Sequence, residues 1–128
     1  MKICVIGTGY VGLVTGVCLA EIGHDVTCVD NVETKIEKLQ KGILPFYEPG
    51  LDGFLAKNVK VGRLHFTTDI EKTIKACAVI FISVGTPSGA NGQADLSQVE
   101  GAAAAIGRFI NREKIVVNKS TVPIGTGD

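Results

Sequence analysis

The sequence predicts an α/β fold, a doubly wound parallel sheet with helices on both faces. Three observations predict it. Short apolar runs alternate with segments of helical periodicity from the first residues onward. The runs are apolar at successive positions rather than alternate ones, which places both faces of each strand in a core. A glycine-rich turn joins the first run to the first helix. The chain has 128 residues, 45% of them apolar and 20% charged, the profile of a soluble globular domain with one core.

Taken in order, Ile3 to Ile6 reads as a buried strand, and Val11, Val14, Cys18, Leu19 and Ile22 mark one face of a helix that Gly23 ends as a C′ residue. Val26 to Val29 is the second strand, with Asp30 at its carboxyl end. Ile36 and Leu39 give a short second helix stopped near Gly42. Ile43 to Tyr47 is irregular, and Pro49 then fits the first turn of a helix carrying Leu51, Phe54 and Leu55, an insertion beyond a minimal βαβ unit. Leu64 to Thr67 is a third strand and Ile70 to Ala76 a short helix. Val79 to Val84 is a fourth strand, interrupted only by Ser83. From Ser97 onward Val99, Ala102, Ala103, Ile106 and Ile110 recur at helical spacing. Ile115 to Val117 forms a fifth strand before Ser120-Thr121-Val122-Pro123 turns away. The expected strand order is 3-2-1-4-5. A full dinucleotide-binding fold would add a sixth strand, which this sequence stops short of, so residues 1–128 read as one domain, either of a small protein or cut from a longer one.

Lys plus Arg and Asp plus Glu both number 13. Nothing in that balance attracts nucleic acid or an anionic membrane, and a bound anion must be held locally. No apolar run approaches the roughly 18–20 residues of a membrane helix, and the opening breaks into glycines too early for a signal peptide, so a cytoplasmic protein is expected. Cys4, Cys18, Cys28 and Cys77 form no C-x-x-C pair and sit in apolar elements. They read as reduced core residues, and no metal is expected.

Gly7-Thr8-Gly9-Tyr10-Val11-Gly12 matches G-x-G-x-x-G between a predicted strand and a predicted helix, the context that makes the pattern specific. Gly7 allows the tight turn, Gly9 lets backbone N–H groups approach a pyrophosphate, and Gly12 removes a side chain that would hold helix from sheet. The helix N-terminus favours the phosphate charge. Asp30 falls at the spacing where a carboxylate accepts hydrogen bonds from the adenosine ribose hydroxyls and repels a 2′-phosphate, which favours NAD over NADP. Lys35 nearby could offset part of that repulsion. The bland alternative is a glycine-rich turn beside a surface aspartate.

The fourth strand ends Ser83-Val84-Gly85-Thr86-Pro87 and the fifth Asn118-Lys119-Ser120-Thr121, placing hydroxyls at one rim. Thr86 and Thr121 are either ligand contacts or turn residues bonding their own backbone. His24 and His65 fall away from that rim. Glu48 either caps a helix N-terminus or meets a ligand. Lys119 has no paired base and cannot by itself establish catalysis.

Together these motifs resemble one family over the whole chain, the UDP-glucose and GDP-mannose dehydrogenases. The residues that carry the likeness are Gly7 to Gly12 with Leu13-Val14, Asp30 with Lys35, Tyr47-Glu48-Pro49-Gly50-Leu51, Val84-Gly85-Thr86-Pro87 and Lys119-Ser120-Thr121-Val122-Pro123. Gly16-Val17-Cys18-Leu19-Ala20 resembles the UDP-glucose branch more than the GDP-mannose one. The resemblance implies an NAD-binding domain of the Rossmann kind, in an enzyme that oxidises UDP-glucose to UDP-glucuronate with two NAD. It implies that Val11, Asp30, Lys35, Thr86 and Thr121 contact NAD, with Gly7, Gly9, Tyr10 and Gly12 forming the cradle and Thr121 also near the water and nicotinamide. It places the nucleophilic cysteine, matched by none of these four, in a later domain with most of the sugar contacts. This stretch alone is then expected to be inactive, and the full-length protein a homodimer. The alternatives are a GDP-mannose or UDP-N-acetyl-mannosamine enzyme, another hydride-transfer enzyme sharing only the cofactor fold, and a non-catalytic NAD-sensing module.

Overall fold

The computed structural model describes residues 1–44, 48–84, 97–111 and 113–118. The elements run β1 (Lys2–Ile6), α1 (Tyr10–Glu21), β2 (Asp25–Val29), α2 (Glu33–Gln40), α3 (Leu51–Lys60), β3 (Leu64–Thr67), α4 (Ile70–Ala76), β4 (Val79–Ile82), α5 (Ser97–Phe109) and β5 (Ile115–Asn118). The five strands form one parallel sheet in the order β3-β2-β1-β4-β5, as expected from the alternation of apolar runs and helices. β4 is shorter than its apolar run and ends at Ile82, so Ser83 and Val84 are free to shape the rim.

The sheet is buried on both sides because successive residues of a strand point to opposite faces. Ile3 and Val5 of β1 join a core with Leu13 and Val17 of α1, Leu39 of α2 and Leu55 of α3. Cys4 and Ile6 join a second core on the other face with Ile74 of α4 and Ile106 of α5. β5 lies at one edge of the sheet and leaves Ile115 63% and Val116 45% exposed. Among the described residues no helix is long and apolar enough to cross a membrane.

Helices α1, α2 and α3 end alike. In each, a left-handed glycine (Gly23, Gly42, Gly62) donates its N–H three residues back, and the next residue donates to the carbonyl five back, a Schellman closure that satisfies the terminal carbonyls.

The buried face of α1 differs from the expected one of Val11, Val14, Cys18, Leu19 and Ile22. Leu13, Gly16, Val17 and Ala20 are buried, while Val11, Cys18 and Ile22 are exposed and Val14 and Leu19 half-buried. The helix is apolar almost all round, so periodicity alone does not select a face. Closeness of approach does: a Cβ on Gly16 would lie 2.7 Å from the Cys28 Sγ, so only a glycine lets α1 sit this low on β2. Cys18 is therefore a surface thiol rather than a core residue, while Cys4, Cys28 and Cys77 are buried. The hydrogen bond with Cys77 and burial push the Cys4 thiol up, and burial alone pushes the Cys28 thiol up to about 12. Two further expectations change. Pro49 precedes α3 instead of opening it, because Gly50 takes the N-cap in a left-handed conformation with φ 84°, and Phe54 is 47% exposed.

Two outcomes test this packing. Gly16→Ala should lower the unfolding free energy by about 1–3 kcal/mol, and a Cys28→Ala background should recover most of that loss in denaturant titrations, since the two side chains contend for one space. In the native state a thiol reagent should label Cys18 and spare Cys4, Cys28 and Cys77 until the protein unfolds, read by peptide mass spectrometry.

Candidate functional site

All five strands present their carboxyl ends at one rim, and the order reverses at β1, which has β2 on one side and β4 on the other. A crevice forms there because the helices following β1 and β4 leave on opposite faces. The ladder continues one residue past the strands: Gly7 N–H donates to the Val29 carbonyl at 2.8 Å, Asp30 N–H to Thr67 at 3.2 Å and Ser83 N–H to Ile6 at 2.8 Å. The resulting cleft of about 620 Å³ is lined by Gly7, Thr8, Gly9, Asp30, Lys35 and Ser83 among others, a size typical of small-molecule and cofactor sites.

Gly7 has φ 103°, and a Cβ there would meet the Ser83 carbonyl oxygen at 2.6 Å. A Cβ on Gly12 would meet the Gly7 carbonyl oxygen at 2.1 Å. Gly12 thus clears the loop's own backbone, and the close seating of helix on sheet falls to Gly16. Gly9 has open space where its Cβ would be. It is the N-cap of α1, with no side-chain cap and no acidic residue in the first turn, so the positive end of the helix lies beside the cleft without a carboxylate of its own first turn to oppose it.

Asp30 stands across the loop from that helix end. Its Oδ2 accepts the Thr8 hydroxyl at 2.6 Å and the Thr8 N–H at 3.1 Å, and its Oδ1 accepts the Val32 N–H at 3.0 Å. Lys35 Nζ lies 3.6 Å from Oδ2. Partial burial opposes ionisation of Asp30, but the Thr8 hydroxyl, the two N–H groups and the Lys35 charge together outweigh it and hold the carboxyl below its ordinary value. Lys35 is thereby engaged with the acid rather than standing free to receive a further phosphate.

Of the residues expected at the site, Gly7, Gly9, Asp30 and Lys35 line the cleft. Gly12 is buried beneath the loop, and Tyr10 and Val11 open α1 beside it with both side chains exposed. The Tyr10 hydroxyl donates to Glu48 Oε2 at 3.1 Å, which raises the Tyr10 pKa. The Glu48 side chain is therefore no helix cap; only its backbone carbonyl receives the Leu51 N–H, at 3.1 Å. Thr86, Lys119, Ser120 and Thr121 lie outside the described residues. His65 pairs with Asp25 at 3.0 Å, at the strand ends opposite the cleft, so the histidines stay off the rim as expected. Sequence reasoning passed over Thr8 and Ser83. Both are buried polar residues in the cleft wall, and the Ser83 Oγ has no hydrogen-bond partner among the described residues. A hydroxyl between two loop glycines was the available signal for Thr8. Among the described residues no cluster of His, Cys, Asp and Glu could hold a metal ion.

Residues 1–128 match the family model described as the UDP-glucose/GDP-mannose dehydrogenase family, NAD binding domain. A UDP-glucose 6-dehydrogenase of Bacillus subtilis is 56% identical over 98% of this chain and 27% of its own length. One of Rhizobium meliloti is 56% identical over 100% of the chain and 30% of its own length. A GDP-mannose dehydrogenase of Pseudomonas aeruginosa, solved as a ternary complex, superposes with a TM-score of 0.93 at 43% identity, over 98% of this chain and 30% of that one. The chain thus spans under a third of the length of these relatives.

The Asp30 bonds have a consequence for acid stability. A carboxyl held below its unfolded value of about 3.9 adds stability that is complete above that value and is lost as pH falls through the folded one. Melting temperatures followed from neutral pH into the carboxylate range should fall more steeply for the wild type than for Asp30→Asn. Parallel curves would show that Asp30 contributes nothing of this kind.

Proposed function

The chain belongs to the UDP-glucose/GDP-mannose dehydrogenase family, whose NAD-binding domain it forms, and from that premise we propose that it holds NAD while a longer protein oxidises UDP-glucose to UDP-glucuronate. The observation that carries this reading is the placement of two complementary groups on one rim: a helix end without a side-chain N-cap, suited to a pyrophosphate, and an anionic Asp30 suited to a ribose hydroxyl. The cradle fits such a group in its sterics as well, since backbone closes around Gly7 and Gly12 while Gly9 stays open.

On this reading NAD, when bound, supplies the acceptor for the hydride leaving the sugar carbon. The N–H groups from Gly9 into the first turn of α1, where Tyr10, Val11 and Gly12 stand, receive the pyrophosphate. Asp30 accepts a ribose hydroxyl, and its charge disfavours a 2′-phosphate, a repulsion that Lys35 at 3.6 Å offsets in part. Thr86 and Thr121 follow β4 and β5 in sequence and are assigned to contact with NAD, with Thr121 near the water and nicotinamide at the reacting centre. The sugar assignment rests on the UDP-glucose 6-dehydrogenases that are 56% identical to this chain.

Calorimetric titration of the full-length protein should show NAD binding more tightly than NADP, with Asp30→Ala weakening NAD by about tenfold. NADH should form with UDP-glucose and not with GDP-mannose. Absence of NAD binding, or tighter binding of NADP, would overturn the cofactor reading; turnover of GDP-mannose alone would overturn the sugar.

A further inference from the structure

Thr8 occupies the variable position between the first two glycines of the loop, where a side chain has no part in the cradle itself. It is nevertheless 1% exposed, and both of its donors end on one oxygen of one carboxylate, the hydroxyl at 2.6 Å and the N–H at 3.1 Å from Asp30 Oδ2. The β1–β2 register makes this meeting unavoidable. Ile6 pairs with Val29, so the next residues on each chain, Gly7 and Asp30, leave the sheet side by side, and Thr8 follows directly over the acid.

A carboxylate offers about four acceptor positions. Thr8 takes two on Oδ2 and the Val32 N–H takes one on Oδ1, so one remains for an incoming hydroxyl, and bonds from two backbone N–H groups and the Thr8 hydroxyl fix its direction. Lys35 pulls on the same Oδ2 from α2 at 3.6 Å. The bond to Thr8 is the shorter by 1.0 Å, at 2.6 Å against 3.6 Å, and holds the carboxylate at the loop with the lysine at a distance.

We propose that Thr8 is a positioning residue for recognition of the adenosine ribose. It does not touch the cofactor, and it sets the NAD-over-NADP preference by locking the orientation of Asp30 through its hydroxyl. The inference rests on reading the cleft as an NAD site. Without the hydroxyl the acid turns toward Lys35, the ribose loses an oriented acceptor, and the repulsion of a 2′-phosphate weakens as the lysine screens it.

The test is titration of the full-length protein with NAD and with NADP. Thr8→Val should weaken NAD by about tenfold, the scale of one hydrogen bond to a charged group, and weaken NADP less, narrowing the preference. Thr8→Ser keeps the hydroxyl and should restore both to within about twofold of the wild type. In an Asp30→Ala background Thr8→Val should change NAD affinity no further, because the residue acts through the acid. Wild-type affinity and preference in Thr8→Val, failure of Thr8→Ser to rescue, or an undiminished effect in the Asp30→Ala background would each overturn the inference. Melting curves establish that each variant folds. Thr8→Ala gives the same reading if Thr8→Val does not fold, and unfolding of both would show that Thr8 serves folding, overturning the proposal. A wild type that binds no NAD would refute the site itself, a different result from any of these.

Discussion

Gly7 is held from two directions at once. Its N–H donates to the Val29 carbonyl at 2.8 Å, and the space a side chain would need lies 2.6 Å from the Ser83 carbonyl oxygen. That contact between the loop leaving β1 and the end of β4 fixes the height at which the chain crosses the rim. The start of α1 follows from it, since Gly12 in turn must pass the Gly7 carbonyl. So does the reach of Thr8 to Asp30. A loop lifted by one methyl group would withdraw the helix end from the cleft and separate the acid from its donors, so one backbone contact holds both halves of the proposed recognition surface in place.

The electrostatics follow the same economy of distance. The sequence has no net charge, and no broad field draws an anion toward it. Attraction is local: N–H groups at the end of one helix, with no carboxylate in its first turn. Repulsion is equally local, from one carboxylate tied to the neighbouring loop. Phosphate and ribose are adjacent in a dinucleotide, and the favourable and unfavourable regions are adjacent here. The two can be told apart only if neither moves, which is why a buried threonine between them matters more than an exposed lysine would.

Much of this is legible in the amino-acid sequence. The strand order, Asp30 at a carboxyl end, the glycine loop and the bounds of β3 and α4 all follow from apolar runs broken by turn residues, because in a sheet buried on both faces run length alone marks the strand. The buried face of α1 did not follow. Apolar residues lie on both faces, and the one with Leu13, Gly16, Val17 and Ala20 is buried rather than that of Val11, Cys18 and Ile22 because Gly16 lets the backbone come close to β2. Glu48 looked like a cap because of its neighbours in sequence; its partner, Tyr10, is distant along the chain and could be found only by folding. Thr8 was hidden for a similar reason. Its partner is fixed by strand register, and parallel register is not written in either strand separately.

The central place of β1 has a consequence for how the chain comes into being. One of its edges is filled soon after synthesis by β2, but the other waits for β4, since Ile3 pairs with Val79. At the usual elongation rates of about 5–20 residues per second, that interval lasts roughly four to fifteen seconds. Through it the strand carries an open row of N–H and C=O groups on the ribosome, and its one charge, Lys2, stands at its start, leaving Ile3 to Ile6 with none to deter a stray partner. The reversal of strand order that opens the crevice in the finished molecule is thus also what leaves the nascent one longest exposed.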